Sequence, residues 1–136
     1  MHNPKAKGEK TEAIIIAELI KKDYPVLLPF GDNQRYDLII EDKGQFKRIQ
    51  CKTGRLRKGA VTFATCSNRC NTKQLYKKDY LGQIDLFAVY CYENNQIYLV
   101  PIDCVGTTQA KLRIDSPKNN QSKKIQWAKD FQLIGH

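Results

Sequence analysis

The stretch that most constrains the fold is residues 37–52, DLIIEDKGQFKRIQCK, which contains two strand-like runs on either side of Lys43-Gly44. If Lys43 and Gly44 form a two-residue turn, the residues facing each other across the strands are fixed, and Asp37 faces Gln50. A shift of one residue would move every apolar side chain to the opposite face. The sequence therefore predicts a β-hairpin with one defined register.

The two faces of this hairpin differ in polarity because strand side chains alternate. On the polar face, the Asp37 carboxylate lies beside the Gln50 amide, and the Lys52 ammonium lies one diagonal step beyond. A surface ion pair beside a solvated glutamine is the alternative interpretation of this face. The other face is expected to be buried, and it contains Leu38, Ile40, Ile49 and Cys51.

The segment before the hairpin predicts an amphipathic helix over residues 9–23. Ala13, Ile16, Ala17 and Ile20 recur at helical spacing, and we expect them to form its apolar face. A short strand, YPVLLPF, and the turn-like run GDNQRY then connect the helix to the hairpin.

The second half of the chain predicts more strands. AVTFATC and AKLRI are strand-like, and IDLFAVYCY and QIYLVPI form a second hairpin whose first strand is apolar enough to be covered on both faces. SNRCNTKQLYKKDYLGQ reads as a loop with at most a turn of helix, and IQWAKDFQL as a short terminal helix. A helix, a run of strands and a helix predict one α/β domain, residues 1–136, with a mixed sheet.

The charge balance favours a polyanionic partner. Lys and Arg number 23 against 14 Asp and Glu, which gives a formal charge of +9. No apolar run approaches the ~20 residues that a membrane helix needs, and MHNPKAKGEK lacks the apolar part of a signal peptide, so we expect a cytoplasmic protein without membrane contact. Five cysteines are expected to be reduced thiols, with a zinc half-site at CSNRC as the alternative.

The polar face of the hairpin contains the groups needed to hydrolyse a phosphodiester. Such chemistry uses a carboxylate to hold Mg²⁺, further oxygens to complete its coordination, and a cation near the attacking water. Asp37 supplies the carboxylate, Gln50 and the backbone carbonyl of Cys51 supply oxygens, and Lys52 supplies the cation.

Three motifs in the chain resemble those of a known group of nucleases. YDLIIE and RIQCKTG place an acid at the start of one strand and Gln-x-Lys on the next, and KGEKTE places Lys-Gly-x-x-x-Glu on the first helix. This combination resembles the PD-(D/E)xK nuclease superfamily, and KGEKTE resembles the first motif of its archaeal Holliday junction resolvases. Over residues 7–130 the chain looks most similar to the branch encoded by cyanobacterial group I introns and its free-standing bacterial relatives.

The resemblance implies a restriction-endonuclease-like α/β core of the αβββαβ type, with a mixed sheet flanked by helices. It implies a Mg²⁺-dependent endonuclease, of homing type, that acts on double-stranded DNA. It also implies that Glu12 completes the metal site, with Glu9 as its rival, and that Gln50 stands in place of the second acid. Tyr36 replaces the proline of the motif.

Two other functions remain open from the sequence. A junction resolvase or restriction-type nuclease would use the same chemistry on DNA of another shape. A DNA-binding module that has lost activity would explain Gln50, because a neutral amide gives less charge for binding Mg²⁺ than a carboxylate does.

Basic stretches near the hairpin predict the DNA contacts. Cations beside the active face would bind phosphates, and polar or aromatic side chains among them would contact a groove. Because cutting both strands of a duplex needs two active sites, we also expect a homo-oligomer, a dimer or a tetramer. The predicted DNA-binding residues are Arg55, Arg57, Lys58, Arg69, Asn71, Lys73, Tyr76, Lys77 and Lys78.

Overall fold

The computed structural model describes residues 4–31, 33–71, 74–80, 82–106, 108–115 and 125–133, with the backbone alone at 4, 67–71 and 74–79. In these residues one α-helix, α1 (Pro4–Lys21), precedes nine strands, and the turns Ile102–Cys104 and Ala128–Asp130 are 3₁₀-helical. The strands are β1 (Val26–Leu27), β2 (Leu38–Asp42), β3 (Gln45–Arg57), β4 (Ala60–Ala64), β5 (Cys66–Asn71), β6 (Gln74–Asp79), β7 (Leu86–Cys91), β8 (Gln96–Pro101) and β9 (Gln109–Arg113).

Seven of these strands form one mixed sheet organised around β3. This long strand pairs antiparallel with β2 and then with β4, and it pairs in parallel with β7. β1 extends the sheet beyond β2, β8 beyond β7, and β9 beyond β4. The predicted α/β class with a mixed sheet is therefore confirmed.

The first hairpin has the predicted register. Ile39 faces Arg48 and Asp42 faces Gln45, so the connection contains two residues. Lys43 and Gly44 adopt φ angles of 53° and 82°, as the type I′ turn favoured in tight hairpins requires. The predicted core face is also correct, since Leu38, Ile40 and Ile49 are buried and Cys51 packs beside them.

Helix α1 covers this apolar face of the sheet, but with a different stripe from the predicted one. Thr11, Ile15 and Leu19 are buried at i, i+4 and i+8, whereas Ile20 of the expected stripe is 56% exposed. The prediction failed because the run AIIIAELI offers two overlapping apolar stripes, and only packing against β3 and β7 distinguishes them. The helix also begins five residues earlier than expected and ends two residues earlier.

The opposite face of the sheet carries a second apolar cluster, in which Phe87 is fully buried beneath Phe63 and Tyr80. Between the two clusters lies β7, all six of whose residues are buried, as its sequence predicted. Among the described helices none is long and apolar enough to cross a membrane.

Two segments differ from their sequence-based descriptions. The segment SNRCNTKQLYKKDYLGQ, residues 67–83, predicted as a loop with at most a helical turn, contains most of the antiparallel pair β5–β6, which lies where the αβββαβ order would have its second helix. The expected terminal helix is a single 3₁₀ turn, because the chain on either side of it bridges to strands: Trp127 pairs with Arg113, and Gln132 with Tyr98. The four cysteines whose side chains the structure describes are free thiols: Cys51, Cys66, Cys91 and Cys104.

The parallel pairing of β3 with β7 is fixed at its start by an ion pair. Arg48 donates from Nε and Nη2 to the two carboxylate oxygens of Asp85 at 3.1 and 3.2 Å, and its backbone N–H donates to the same carboxylate at 2.8 Å. The Arg48 guanidinium and backbone N–H lower the pKa of Asp85. Because both side chains are partly exposed, the pair contributes more to register than to stability.

Gly54 lies in β3 where the pairing with β7 ends and the pairing with β4 begins. A Cβ atom at this position would lie 2.8 Å from side-chain carbons of both Val61 and Val89, which belong to the buried core. The glycine is therefore required by close packing.

We predict that Gly54→Ala lowers the free energy of unfolding by about 1–3 kcal/mol, because the added methyl group overpacks a buried contact. The matched control is Gly8→Ala in α1, where a Cβ meets nothing within 4 Å; this change should stabilise the protein by about 0.5–1 kcal/mol. Urea denaturation measures both values. Equal stability of the Gly54→Ala variant and the wild type would contradict the packing argument.

Candidate active site

The candidate site lies where β2 begins and β3, still paired with β7 on its other side, continues beyond the end of the β2–β3 ladder. Asp37 immediately precedes β2, and its backbone N–H donates to the carbonyl of Ile49 at 2.8 Å, which keeps it in register with β3. The N–H of Cys51, one step further along the same strand edge, donates to Asp37 Oδ2 at 2.9 Å. A side-chain carboxylate thus takes the place that a strand backbone would occupy, and the strand geometry fixes the carboxylate.

The same geometry places the Cys51 carbonyl near this carboxylate. In an antiparallel ladder the N–H and C=O of one residue point to the same edge. Since the Cys51 N–H points to the Asp37 edge, the carbonyl oxygen of Cys51 is directed there too. This is the predicted backbone oxygen of the site.

Glu12 approaches Asp37 from the helix side of the sheet, and the two carboxyl groups lie close enough to affect each other's pKa. The neighbouring Thr11 is 1% exposed, and its hydroxyl bonds to the hydroxyls of Thr53 at 2.8 Å and Tyr92 at 2.9 Å. These bonds fix the first half of α1 against β3. Glu12 therefore lies at the edge of the buried stripe, where it meets the sheet.

The two carboxyl groups bind protons more tightly than isolated ones. Burial raises the pKa of Asp37, although the Cys51 N–H and the charge of Lys52 act in the opposite direction. Burial and the nearby negative charge of Asp37 raise the pKa of Glu12. The two negative charges repel each other, and a metal cation held between them would relieve that repulsion.

Lys52 approaches Asp37 from the opposite face of the sheet. Its ammonium donates to the hydroxyl of Tyr80 at 3.3 Å and to the carbonyl of Cys66 at 3.4 Å. Burial lowers the pKa of this lysine, while the charge of Asp37 raises it. Gln50 is half-buried and lies two residues before Lys52 on the same face, in the position that faces Asp37 if the β2–β3 register is extended by one pair.

Two residues at this face were not identified from the sequence. The guanidinium carbon of Arg35 lies 4.0 Å from the centre of the Tyr80 ring, and Lys52 Nζ lies 4.8 Å from the same centre. The position of Arg35, two residues before Asp37, was the available signal, but the segment read only as a turn. Tyr80 lies in the run where strands replaced the expected loop, and no local pattern marked it.

The donor set fits a hard divalent cation. Two carboxylates, an amide oxygen and a backbone carbonyl are the ligand types that Mg²⁺ accepts. Among the described residues no group of three or more His, Cys, Asp and Glu side chains is placed to hold a metal ion. A metal ion between the two acids would therefore need neutral oxygens as well, and Gln50 and Cys51 lie where they could supply them.

Beyond Thr53 the exposed face of β3 becomes a cationic groove of about 570 Å³, walled by β4 and β9. Two strands contribute cations to it, because side chains two apart in a strand share a face. Lys111 and Arg113 were missed from the sequence, where their i, i+2 spacing in AKLRI was the signal. The cations lining the groove are Arg55, Arg57, Lys58, Lys111 and Arg113.

The other predicted DNA contacts lie in residues 66–79. Arg69 faces Tyr76 across the β5–β6 pair, and Lys77 and Lys78 continue β6. The side chains of these residues and of Asn71, and all of Lys73, lie outside the described parts of the structure. Their contact with DNA remains a prediction.

Comparison with known proteins gives two matches. The sequence profile of the PD-(D/E)XK endonuclease family matches residues 2–134. Among solved structures, that of a bacterial homing endonuclease, I-Ssp6803I, superposes with a TM-score of 0.76 at 21% identity, over 96% of this chain and 89% of that one. No curated protein matches the sequence.

We predict that Asp37→Asn raises the melting temperature of the metal-free protein at pH 7 by about 2–4 °C. A carboxyl whose pKa is raised by folding contributes stability below its ordinary pKa, near 4, and loses it as the pH rises through the folded value. At pH 7 the carboxylate is thus a net cost, and asparagine keeps an oxygen for the Cys51 N–H.

The increase in melting temperature caused by Asp37→Asn should become smaller as the pH falls to 4. Mg²⁺ in place of EDTA should raise the melting temperature of the wild type but not that of Asp37→Asn. Scanning fluorimetry measures these shifts. The exposed Asp103→Asn change is the matched control. Equal stabilisation of wild type and Asp37→Asn by Mg²⁺ would exclude Asp37 from the metal site.

Proposed function

Because the chain belongs to the PD-(D/E)XK endonuclease family, we propose that it is a Mg²⁺-dependent endonuclease that hydrolyses phosphodiester bonds in double-stranded DNA. The observation that carries the proposal is the proximity of the Glu12 and Asp37 carboxyl groups, with the Lys52 ammonium on the other side of Asp37. Two acids and a buried cation at the end of a paired strand supply the charges that phosphodiester hydrolysis needs.

In this proposal each residue of the site has one role. Glu12 and Asp37 hold Mg²⁺ with the Gln50 side-chain oxygen and the Cys51 carbonyl. Bound there, Mg²⁺ would lower the pKa of a water and neutralise charge on the phosphate. The Lys52 ammonium positions the attacking water and stabilises the negative charge that develops on the phosphate oxygens.

The homing type of endonuclease is the favoured assignment within the family. The fold similar to that of a bacterial homing endonuclease supports it, over nearly the full length of both chains. A junction resolvase or restriction-type nuclease would use the same residues on another DNA shape, and an inactive DNA-binding module would keep only the basic surface. An enzyme of this kind would act in the cytoplasm, as expected from the sequence.

The cationic groove is the proposed path of the DNA backbone on the helix side of the sheet. Arg55 and Arg57 lie on the same face of β3 as Cys51, four and six residues beyond it, so a strand of DNA reaching the site would pass over them. Lys111 and Arg113 on β9 face them across the groove. Phosphates are the ligands that such a surface binds.

The protein is proposed to work as a homo-oligomer, because the candidate site occurs once per chain and a duplex has two strands to cut. Residues 27–30, LLPF, support self-association, since Leu27, Leu28 and Phe30 are 42%, 63% and 101% exposed. Contiguous exposed apolar side chains of this size are typical of association surfaces.

We predict that Lys52→Ala lowers the rate of plasmid nicking in Mg²⁺ by about 100-fold or more, as loss of a preorganised charge at the reacting phosphate does. Binding of the uncut plasmid should change little. Lys47→Ala is the matched control, since Lys47 lies on the same strand but pairs with Asp42 away from the site. Wild-type protein that binds DNA and cuts none in Mg²⁺ would contradict the catalytic proposal and favour the inactive module.

We predict that Arg57→Ala and Arg113→Ala weaken duplex binding on all sequences alike, because each removes a phosphate contact. The slope of log K against log salt should fall by about 1 for each change. Fluorescence anisotropy in EDTA measures binding without cleavage. Lys129→Ala, which removes an exposed cation outside the groove, should leave the slope unchanged. The groove would be excluded if all three variants gave the same slope.

We predict that Phe30→Ser converts the oligomer to a smaller species in analytical ultracentrifugation. The folded monomer should keep its stability, because the phenylalanine side chain is fully exposed within one chain. Ile114→Ser changes an exposed apolar residue elsewhere and serves as the control. A wild-type protein that sediments as a monomer, with or without DNA, would overturn the oligomer proposal.

A further inference from the structure

Tyr80 holds two cations of the candidate site, and its own position is fixed by the core. The residue is 4% exposed, and its ring packs edge-on against the fully buried Phe87, with ring centres 5.6 Å apart and an interplanar angle of 87°. Phe87 belongs to β7, which pairs with β3 directly beside Gln50. The tyrosine ring is thus held in one position by the core, next to the polar face of β3.

The Arg35 and Lys52 side chains contact the Tyr80 ring in different ways. The Arg35 guanidinium lies 4.0 Å from the ring centre, a distance typical of a planar group stacked on an aromatic face. The Lys52 ammonium lies 4.8 Å from the ring centre and also donates to the tyrosine hydroxyl at 3.3 Å. The ring therefore orients Arg35, and the ring and hydroxyl together orient Lys52.

The two positive charges beside the Tyr80 ring repel each other, and an anion bound near them would reduce that repulsion. The Asp37 carboxylate provides one negative charge, but it also accepts the Cys51 N–H and lies close to Glu12. Its charge is therefore shared among several partners. A phosphate group, with two non-bridging oxygens, is an anion that both an ammonium and a planar guanidinium bind well.

Arg35 lies close enough to Lys52 for one phosphate group to contact both side chains. Arg35 lies two residues before Asp37, and its charge acts on both Tyr80 and Lys52. A phosphate that reaches Lys52 would thus come within the field of the guanidinium as well. Both cations therefore contact the same ring, Tyr80, beside the polar face of β3.

We propose that Arg35 binds the phosphate at which the DNA is cut, and that Tyr80 is the positioning residue that directs Arg35 and Lys52 to it. The proposal rests on the endonuclease function proposed above and adds to it a second cation at the reacting group. Arg35 would stabilise charge on the phosphate, while Tyr80 would act only through the two cations.

Four variants test these roles in single-turnover cleavage of a duplex at saturating protein. Arg35→Ala should lower the cleavage rate by about 100-fold, with duplex affinity in EDTA changed by less than about threefold, as expected for loss of one phosphate contact among many. Arg35→Lys should recover only part of the rate, because an ammonium does not stack as a guanidinium does.

Tyr80→Phe keeps the ring and loses the hydroxyl, so it should lower the rate less than Tyr80→Leu, which loses both. Thermal melts check that each variant is folded, and Lys129→Ala is the control that should leave rate and affinity unchanged. If Arg35→Ala cuts at the wild-type rate, the inference is wrong while the endonuclease function stands. Rates that fall only in proportion to the folded fraction would show a purely structural role and would also overturn it.

A second measurement does not depend on cleavage. The chain contains six arginines, and the ¹⁵Nε–H signal of Arg35 is assigned as the one that Arg35→Lys removes. We expect duplex DNA in EDTA to shift this signal, and Tyr80→Leu to reduce that shift. If the wild type fails to cut any DNA but the Arg35 signal still shifts, the phosphate contact stands without the catalytic function. An unshifted Arg35 signal at saturating DNA would overturn the inference.

Discussion

The hydrogen bond from the Cys51 N–H to the Asp37 carboxylate joins the fold to the site, because it lies where one strand of a ladder ends and its partner continues. The pairing of β2 with β3 ends at Leu38, the first residue of β2, so the backbone N–H of Cys51 on β3 is satisfied by a side chain. The Asp37 carboxylate thus takes the place of a backbone acceptor at the end of the β2–β3 ladder. The Cys51 carbonyl points to the same side of β3. α1 then adds Glu12 from one face, and β3 itself adds Lys52 from the other.

Much of this arrangement could be predicted from the sequence, because it depends on short-range rules. The type I′ turn at Lys43-Gly44 fixes the hairpin register, and alternation then places Asp37 beside Gln50 and Lys52 on one face. The mixed sheet and the buried β7 follow from the order and polarity of the segments.

Other features depend on contacts between distant segments, so no local pattern determined them. The prediction of the buried stripe of α1 was wrong because AIIIAELI offers two overlapping apolar stripes. Packing against β3 and β7, which includes the Thr11 bonds to Thr53 and Tyr92, buries one of them. The same contacts bring Glu12 close to Asp37. From the sequence, this proximity was predicted only from the resemblance to known nucleases. The segment that contains the β5–β6 pair was predicted as a loop, so the contacts of Tyr80 with Arg35 and Lys52 were not predicted.

The charges of the site oppose folding and favour binding. Burial raises the pKa of both acids and lowers that of Lys52, so each ionised group costs stability until a partner ion arrives. The central claim is that this partner is a divalent cation held by Glu12 and Asp37. Anomalous scattering from a crystal soaked in Mn²⁺, a heavier substitute for Mg²⁺, tests it most directly. The account predicts a peak bonded to oxygens of both Glu12 and Asp37, and an ordered metal elsewhere with none between these carboxylates would contradict it.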